Sequence, residues 1–552
     1  MTTTTATRAP APIGRAAAGG GTLAGTGTLI RFILRRDRIR IPAWLAAITL
    51  VQVSGAASYP GLYPTEADRQ NQAAIVGDNP AMKAMTGPGH GLGDYTYGAM
   101  MTNEYLGFMV IFVALMSVLM LVRHTRTEEE TGRAELVRAS VVGRYAHIAA
   151  ALVAVAITNV ALGLLLALGM GSLGIEGIDW PGSFMYGAAY TAVGLVFTGI
   201  AAVTTQVTEH ARTAAGMAGA LIGVAYVLRA IGDVGDSTLS WLSPIGWAQA
   251  SAPYVDNNGW PLGLALAVTV ALVVAAFMLS GRRDIGAGLR AERTGAATAS
   301  AFLGTPQGFA WRLQRSGVIW WGIAMFLFGL SYGSAVNVIE DYANNRIVQE
   351  IVQNIGGATL TESWLSMVIS LLALVCTIFA IIAARRPRRE ETSGRAEAVL
   401  ATALSRTRWV ATHVVIAMVG GVGLLLLAGA GLGLGAAAGA GDPSYFWEVL
   451  GATLAYAPAL WLTAGLAVTV FGIVPRAIGL AWALLVYAIF IVYFGGLLEL
   501  PDWMLNLSPY THIPRMPADD FTAVPLVTLT ALAAALVAAG VAGFRRRDLE
   551  AT

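Results

Sequence analysis

"RTEEETGRAELVRAS", Arg126 to Ser140, is a dense charged segment set between two apolar runs. A near copy, "EETSGRAEAVLAT", occupies Glu390 to Thr402. The two align without a gap as E-E-x-x-G-R-A-E, with Glu128–Glu135 falling on Glu390–Glu397 and Gly132 on Gly394, a displacement of 262 residues. The flanks have diverged: "VVGRYAHIAA" after the first segment aligns with "ALSRTRWVAT" after the second. A solvated loop needs no fixed pattern, so survival of this one between two halves of a single chain points to a shared constraint.

Other landmarks keep nearly the same displacement. "LSP" occurs at Leu242–Pro244 and Leu507–Pro509, and "RRDI" at Arg282–Ile285 returns as "RRDL" at Arg546–Leu549. A basic amphipathic stretch, "LIRFILRRDRIR", opens the first half, and "FAWRLQRSG" opens the second. In the first, Arg31, Arg35 and Arg38 form one stripe opposite Ile30, Ile33 and Leu34, the pattern of a helix lying in a membrane interface.

The chain is 56% hydrophobic and 12% charged, against about 25% charged in an average soluble domain, and its mean hydropathy is +0.63. Many runs reach the roughly 20 apolar residues that cross a bilayer. The expected fold is an all-α polytopic membrane protein with twelve spans, near 41–60, 103–123, 145–172, 182–207, 212–231 and 260–280, then 317–338, 363–384, 409–438, 445–472, 476–496 and 522–544. Parallel six-helix repeats of this kind are related by an axis along the membrane normal. The domain reading is a disordered tail (1–26), a first half (27–284) with an outer segment (60–102) and a charged segment (125–142), a linker (285–306), and a second half (307–552) with an outer segment (339–362) and a charged segment (386–404).

An even number of spans puts both termini on one side. With that side cytoplasmic, all but five of the 35 lysines and arginines fall inside, as the positive-inside rule requires. The exceptions are Arg69, Lys83, Arg229, Arg346 and Arg515. Both charged segments then face the cytoplasm.

Several chemistries are excluded. The single lysine lies in no G-x-x-x-x-G-K-[ST], and "GPGHGLG" at Gly87–Gly93 fits no phosphate-binding pattern and reads as a loop. The six histidines form no H-E-x-x-H and no cluster at metal spacing. The lone cysteine, Cys376, allows no internal disulfide. Coupled carriers hold ionisable groups at membrane depth, whereas Glu104, Glu209, Glu362 and Glu448 fall at span ends. Asn159 and Gln52 are expected to hydrogen-bond between helices. The energy source is therefore expected in another chain.

Within each charged segment, Glu129 with Arg133 and Glu391 with Arg395 stand at i,i+4, a spacing at which helical ion pairs form. Gly132 and Gly394 interrupt a helix continuing from the preceding span. A short helix then begins with Glu135 or Glu397 near its positive end, giving an amphipathic docking element with a charged leading edge.

On these residues the chain resembles the membrane subunits of ABC exporters, and among them the duplicated actinobacterial permeases of the polyketide-antibiotic, or tetronasin, type. The resemblance rests on "EEETGRAEL" between the second and third spans, the arginines that follow (Arg144 and Arg406), "RRDIGAGL", "LYPT" at Leu62–Thr65 and "NPAMKAMTGP" at Asn79–Pro88. It covers residues 28–552. In the second half the triple glutamate is reduced to Glu390 and Glu391.

That resemblance implies a type V ABC exporter fold with an elbow helix and an outer hairpin before each sixth span, here "STLSWLSPIGW" (Ser237–Trp247) and "LPDWMLNLSPY" (Leu500–Tyr510). It implies no catalytic, metal or nucleotide site in this chain. Two copies of a separate ATPase subunit would bind ATP and Mg and seat on Glu128, Glu129, Glu130, Gly132, Arg133 and Glu135, and on Glu390, Glu391, Gly394, Arg395 and Glu397. The spans numbered 2, 5, 8 and 11 would line a path for an amphipathic or drug-like molecule, with Phe108, Phe112, Met116, Met217 and Tyr226, then Trp364, Met367, Tyr487, Phe490 and Tyr493, as contacts. The partners are thus ATPase subunits, lipid and a hydrophobic substrate, with no nucleic acid, at the plasma membrane. The competing reading is a twelve-helix proton-coupled secondary drug transporter, which shares the repeat but not the twin docking segments.

Overall fold

The computed structural model describes residues 21–78, 80–139, 142–284, 286–289, 295–336, 360–477, 479–494 and 500–549. Every regular element among them is helical, and 12 helices are long and apolar enough to cross a membrane. The chain divides into two compact units, Met1–Thr294 and Gly295–Thr552.

In the first unit α1 (Thr26–Arg36) is the amphipathic lead-in, with Ile33 buried and Arg31 and Arg35 exposed. The chain breaks at Asp37 before the first span, α2 (Arg40–Leu62). The break is pinned: the buried Asp37 carboxylate meets His124 Nε2 at 2.6 Å and Arg123 at 3.4 Å. Two short helices, α3 (Glu66–Asp78) and α4 (Pro80–Thr86), and the Gly87–Gly93 loop lead to the second span. That span runs from α5 (Tyr97–Met100) through a π-helical stretch, Met101–Leu106, into α6 (Gly107–His124). The short α7 (Arg126–Glu130) and α8 (Arg133–Arg138) follow, then the spans α9 (Ala146–Gly171), α10 (Trp180–Val207) and α11 (Ala211–Val234). A 3-10 turn, Leu239–Leu242, and α12 (Pro244–Ala250) precede the sixth span, α13 (Trp260–Gly281).

The core helix is α10, which packs on α6, α9, α11 and α13. Side-chain hydrogen bonds join helices here because lipid tails supply no hydrophobic drive between them. Asn159 on α9 donates to Ser117 Oγ on α6 at 3.0 Å. Gln52 on α2 bonds to both Tyr186 and Tyr190 on α10. Both polar residues thus do what the sequence suggested.

The second unit contains α14 (Pro306–Gly333), α15 (Leu360–Ala384), the short α16 (Arg386–Thr392) and α17 (Arg395–Leu400), and α18 (Arg406–Ala440). It continues with α19 (Ser444–Leu454), α20 (Ala457–Ile473), α21 (Leu480–Phe494), the four-residue α22 (Asp502–Leu505) and α23 (Ala523–Arg546). Two expectations change. "FAWRLQRSG" is not a separate elbow: it is the first part of the unbroken α14, capped by the Thr305 side chain. No acid stands where Asp37 pins the break in the first half. The expected hairpin at Leu500–Tyr510 is a single helical turn. The outer segment 339–362 lies outside the described residues up to 359.

Close backbone approach fixes α14 on α18. A Cβ at Gly329 or Gly333 would overlap the carbonyl oxygens of Ala428 or Leu432, and one at Gly431 or Gly435 those of Phe326 or Leu330. This is small-xxx-small packing on both helices at once. Gly431→Val is expected to force the pair apart at about 1–3 kcal/mol and to lower the thermal midpoint in detergent by several degrees. Gly423→Val, on the same helix where a Cβ meets nothing within 4 Å, carries the same propensity change and is expected to lower it much less.

Candidate functional site

The two charged segments fold alike. Each follows a long span with one short helix, a glycine, and a second short helix. Gly132 and Gly394 both have φ +72°, and a side chain at either would meet nothing within 4 Å, so the backbone conformation, not space, calls for glycine. Each glycine amide donates to the carbonyl three residues back, Glu129 O or Glu391 O, at 3.0 Å. That left-handed residue ends the first helix and reverses the chain.

The reversal changes the ion pairs. Glu129 does not pair with Arg133, nor Glu391 with Arg395, because the i,i+4 geometry needs a continuous helix and none crosses the glycine. Instead Arg395 Nε reaches Glu390 at 2.7 Å, and Arg133 lies 3.8 Å from Glu128. Glu128 also receives Arg36 from the end of α1 at 2.7 Å, and Glu390 receives Arg386 at 2.8 Å.

Glu129 and Glu391 point inward, with side chains 8% and 1% exposed. Each is gripped by the second arginine of the R-R-D motif in its own half. Arg283 donates Nη1 and Nη2 to the two Glu129 oxygens, both at 2.7 Å. Arg547 does the same to Glu391 at 2.6 and 2.8 Å. A local arginine completes each cluster: Arg126 to Glu129 at 2.5 Å and Arg388 to Glu391 at 3.2 Å. Paired forks of this kind combine charge with fixed geometry. The arginines after the segments add a second tie. Arg144 donates to Gly281 O and Arg406 to Arg547 O, both at 2.8 Å. Each charged segment is thereby fastened to the C-terminal end of the sixth span of its unit. In the sequence R-R-D reads as a landmark of duplication and of the family resemblance, not as a partner of the glutamates; its parallel displacement with E-E-x-x-G-R-A-E was the available signal.

What remains outward is the second short helix. Ala134 and Ala396 are buried, while Arg133, Glu135 and the 76%-exposed Leu136 face out in one copy, and Arg395 and Glu397 in the other. Glu130 is also exposed, and its carboxylate accepts from the Ala211 amide at the start of α11 at 3.1 Å, a favourable place for an anion. Thr392 occupies the aligned position.

The residues expected along a substrate path are scattered in role. Phe108 and Phe112 stand edge to face at 5.5 Å on the surface of the second span, and Met217, Phe490 and Tyr493 are likewise exposed. Met116 is a correction: it is fully buried in the core of the first unit, because hydropathy alone does not tell which face of an apolar helix meets its neighbours. Tyr226 is tied by its hydroxyl to Met85 O at 3.1 Å and lies 4.4 Å under Arg229. Trp364 stacks on Tyr332, Met367 is half-buried, and Tyr487 donates to Met504 O at 2.7 Å. An open apolar cavity of about 310 Å³ lies elsewhere, among Val160, Leu164, Phe184 and Leu266.

Twelve apolar helices carrying two like-built charged segments define a multi-pass membrane permease. The chain belongs to the family described as "Multidrug efflux system permease Rv1217c, C-terminal domain", which matches residues 28–279 and 303–545. It is 39% identical over 564 residues, spanning 100% of both chains, to "Multidrug efflux system permease protein Rv1217c" of Mycobacterium tuberculosis (strain ATCC 25618 / H37Rv).

Removing one member of a buried ion pair leaves the other charge uncompensated. Glu391→Gln and Arg547→Gln are each expected to lower stability by about 3 kcal/mol, read as a lower thermal midpoint and faster proteolysis after Arg388. The double variant is expected to fall well short of the sum, as for residues in direct contact.

Proposed function

We propose that this permease is the membrane subunit of an ATP-driven ABC exporter that moves amphipathic or hydrophobic small molecules of the polyketide-antibiotic kind out of the cell. Both termini are cytoplasmic in this reading, which the distribution of lysine and arginine supports. ATP and Mg are bound by two copies of a separate ATPase subunit, one under each unit. The observation that carries the reading is the duplicated segment: its inner half is clamped to the fold, and its outer half offers the same exposed arginine and glutamate twice. A partner that docks as two like subunits is the simplest reason to keep that face in duplicate.

In this mechanism the ATPase grips Arg133, Glu135 and Leu136 on α8, and Arg395 and Glu397 on α17. Glu129–Arg283 and Glu391–Arg547 then transmit the movement to the sixth span of each unit, since a bidentate pair resists both sliding and rotation. Phe108, Phe112, Met217, Phe490 and Tyr493 supply exposed apolar contacts for the cargo.

The test reconstitutes the chain in liposomes with a candidate P-loop ATPase subunit. Arg133→Ala combined with Arg395→Ala is expected to cut co-purification of the ATPase and ATP-dependent efflux at least about tenfold, a loss of about 1.4 kcal/mol in docking, with the thermal midpoint lowered by no more than a few degrees because Arg36 and Arg386 still pair with Glu128 and Glu390. Full efflux by this variant, or efflux driven by a proton gradient without ATP, overturns the reading; the latter outcome establishes the secondary carrier.

A further inference from the structure

The second span carries the clamp at one end and an uncompensated carboxylate at the other. Glu104 sits in the π-helical stretch Met101–Leu106. Its Oε2 accepts from the Tyr59 hydroxyl at 2.8 Å, and its Oε1 from Gln72 Nε2 at 3.0 Å and the Tyr95 hydroxyl at 3.5 Å. All three donors are neutral. The arginine of α3, Arg69, is engaged instead with Tyr97, 4.9 Å above its ring. Tyr59 and Tyr95 are buried, while Glu104, Tyr63 and Tyr105 are half-buried. The Tyr59 ring stands edge-on to Tyr63 at 6.0 Å and to Tyr105 at 6.1 Å. Gly55 leaves the space that the Tyr105 hydroxyl occupies.

A half-buried carboxylate held only by neutral donors is costly to keep, and such ionisable groups gather at functional sites. Single π-helical insertions also gather at functional sites. The architecture does not require this carboxylate. The 262-residue displacement puts Ser366, between Leu365 and Met367, at the same level of the second unit, where its hydroxyl simply donates to Glu362 O and Arg515 O at 2.8 Å.

We propose that Glu104 with Tyr59, Tyr63, Tyr95 and Tyr105 forms a binding site for a hydrophobic organic monocation, such as a quaternary ammonium or phosphonium ion. The carboxylate supplies the charge, and the tyrosine rings supply the faces that attract a weakly hydrated cation. Tyr59, Gln72 and Tyr95 aim the carboxylate. A hard metal ion is a poor fit, since it needs six or more oxygen ligands and the cage offers a single anionic group. The proposal stands apart from the ATPase reading, because equilibrium binding needs no second subunit.

The test measures saturable binding of radiolabelled tetraphenylphosphonium to the full chain in lipid nanodiscs, without ATPase. Glu104→Gln is expected to raise Kd by at least about tenfold, and Tyr105→Ala by a few-fold. Gln72→Lys places an ammonium of the chain's own beside Glu104 and is expected to abolish binding while leaving the thermal midpoint within a few degrees. Absence of saturable binding to the wild type overturns the proposal, as does wild-type affinity in a folded Glu104→Gln protein. Should Glu104→Gln fail to fold, Gln72→Lys decides: retained binding overturns the site, and lost binding in a folded protein supports it.

Discussion

The bidentate grip of an R-R-D arginine on the second glutamate of E-E-x-x-G-R-A-E is the contact that ties each unit's charged segment to its sixth span. A charged segment leaving a membrane helix has no reason to lie in one place. Water solvates it in any orientation, and exposed ion pairs fix it weakly. Burying Glu129 and Glu391 under Arg283 and Arg547 removes that freedom. Replacing such a pair by apolar groups often leaves stability unchanged or improves it, so net stability is a weak explanation for keeping it. The stronger one is geometric: the pair holds one end of the second or eighth span against the end of the sixth or twelfth, in one register.

The surroundings of the two arginines support that view. Arg283 is held by Gln206 Oε1 at 2.7 Å and by the carbonyl of Ala287 at 3.1 Å. Arg547 instead lies 5.0 Å from the centroids of both Phe471 and Phe544, whose rings stack on each other, and donates to the Asp548 carbonyl at 3.1 Å. The first half surrounds its guanidinium with amide and carbonyl oxygens, the second with a carbonyl oxygen and aromatic rings. The supports have been exchanged while the Glu–Arg fork has not, so the fork is what both halves need. Among the described residues the first unit adds two ties without a counterpart ion pair in the second, Asp37 to His124 and Arg36 to Glu128, which brings its lead-in helix into the same cluster.

Much of this was legible in the residues. Apolar runs placed the twelve spans, the repeated motif located the equivalent segments, and Gln52 and Asn159 were rightly read as bonds between helices. The partner of Glu129 was not legible, because Arg283 lies 154 residues away and sequence offers only neighbours at i,i+3 and i,i+4. The local arithmetic chose Arg133, and the left-handed glycine made that choice wrong. Met116 was misplaced for a related reason: an entirely apolar helix has no polar face to mark its orientation in lipid. The elbow of the second half was read by analogy from its arginines, whereas the break depends on a single acid, Asp37, that only the first half possesses.

Duplication supplies the closing argument. Two copies of one ancestral half are free to diverge wherever the fold tolerates it, and here they have done so at the lead-in helix, at Glu130 against Thr392, and at Glu104 against Ser366. What both copies keep is the glycine at φ +72°, the inward fork and the outward arginine and glutamate on either side of a buried alanine. Features kept in both halves describe what each must do in common, which is to hold and present the segment. Features kept in one half describe what that half does alone. Under the proposed function the charged segments would then carry the shared work of energy coupling, and under the proposed site the carboxylate of the second span would serve recognition by the first unit alone.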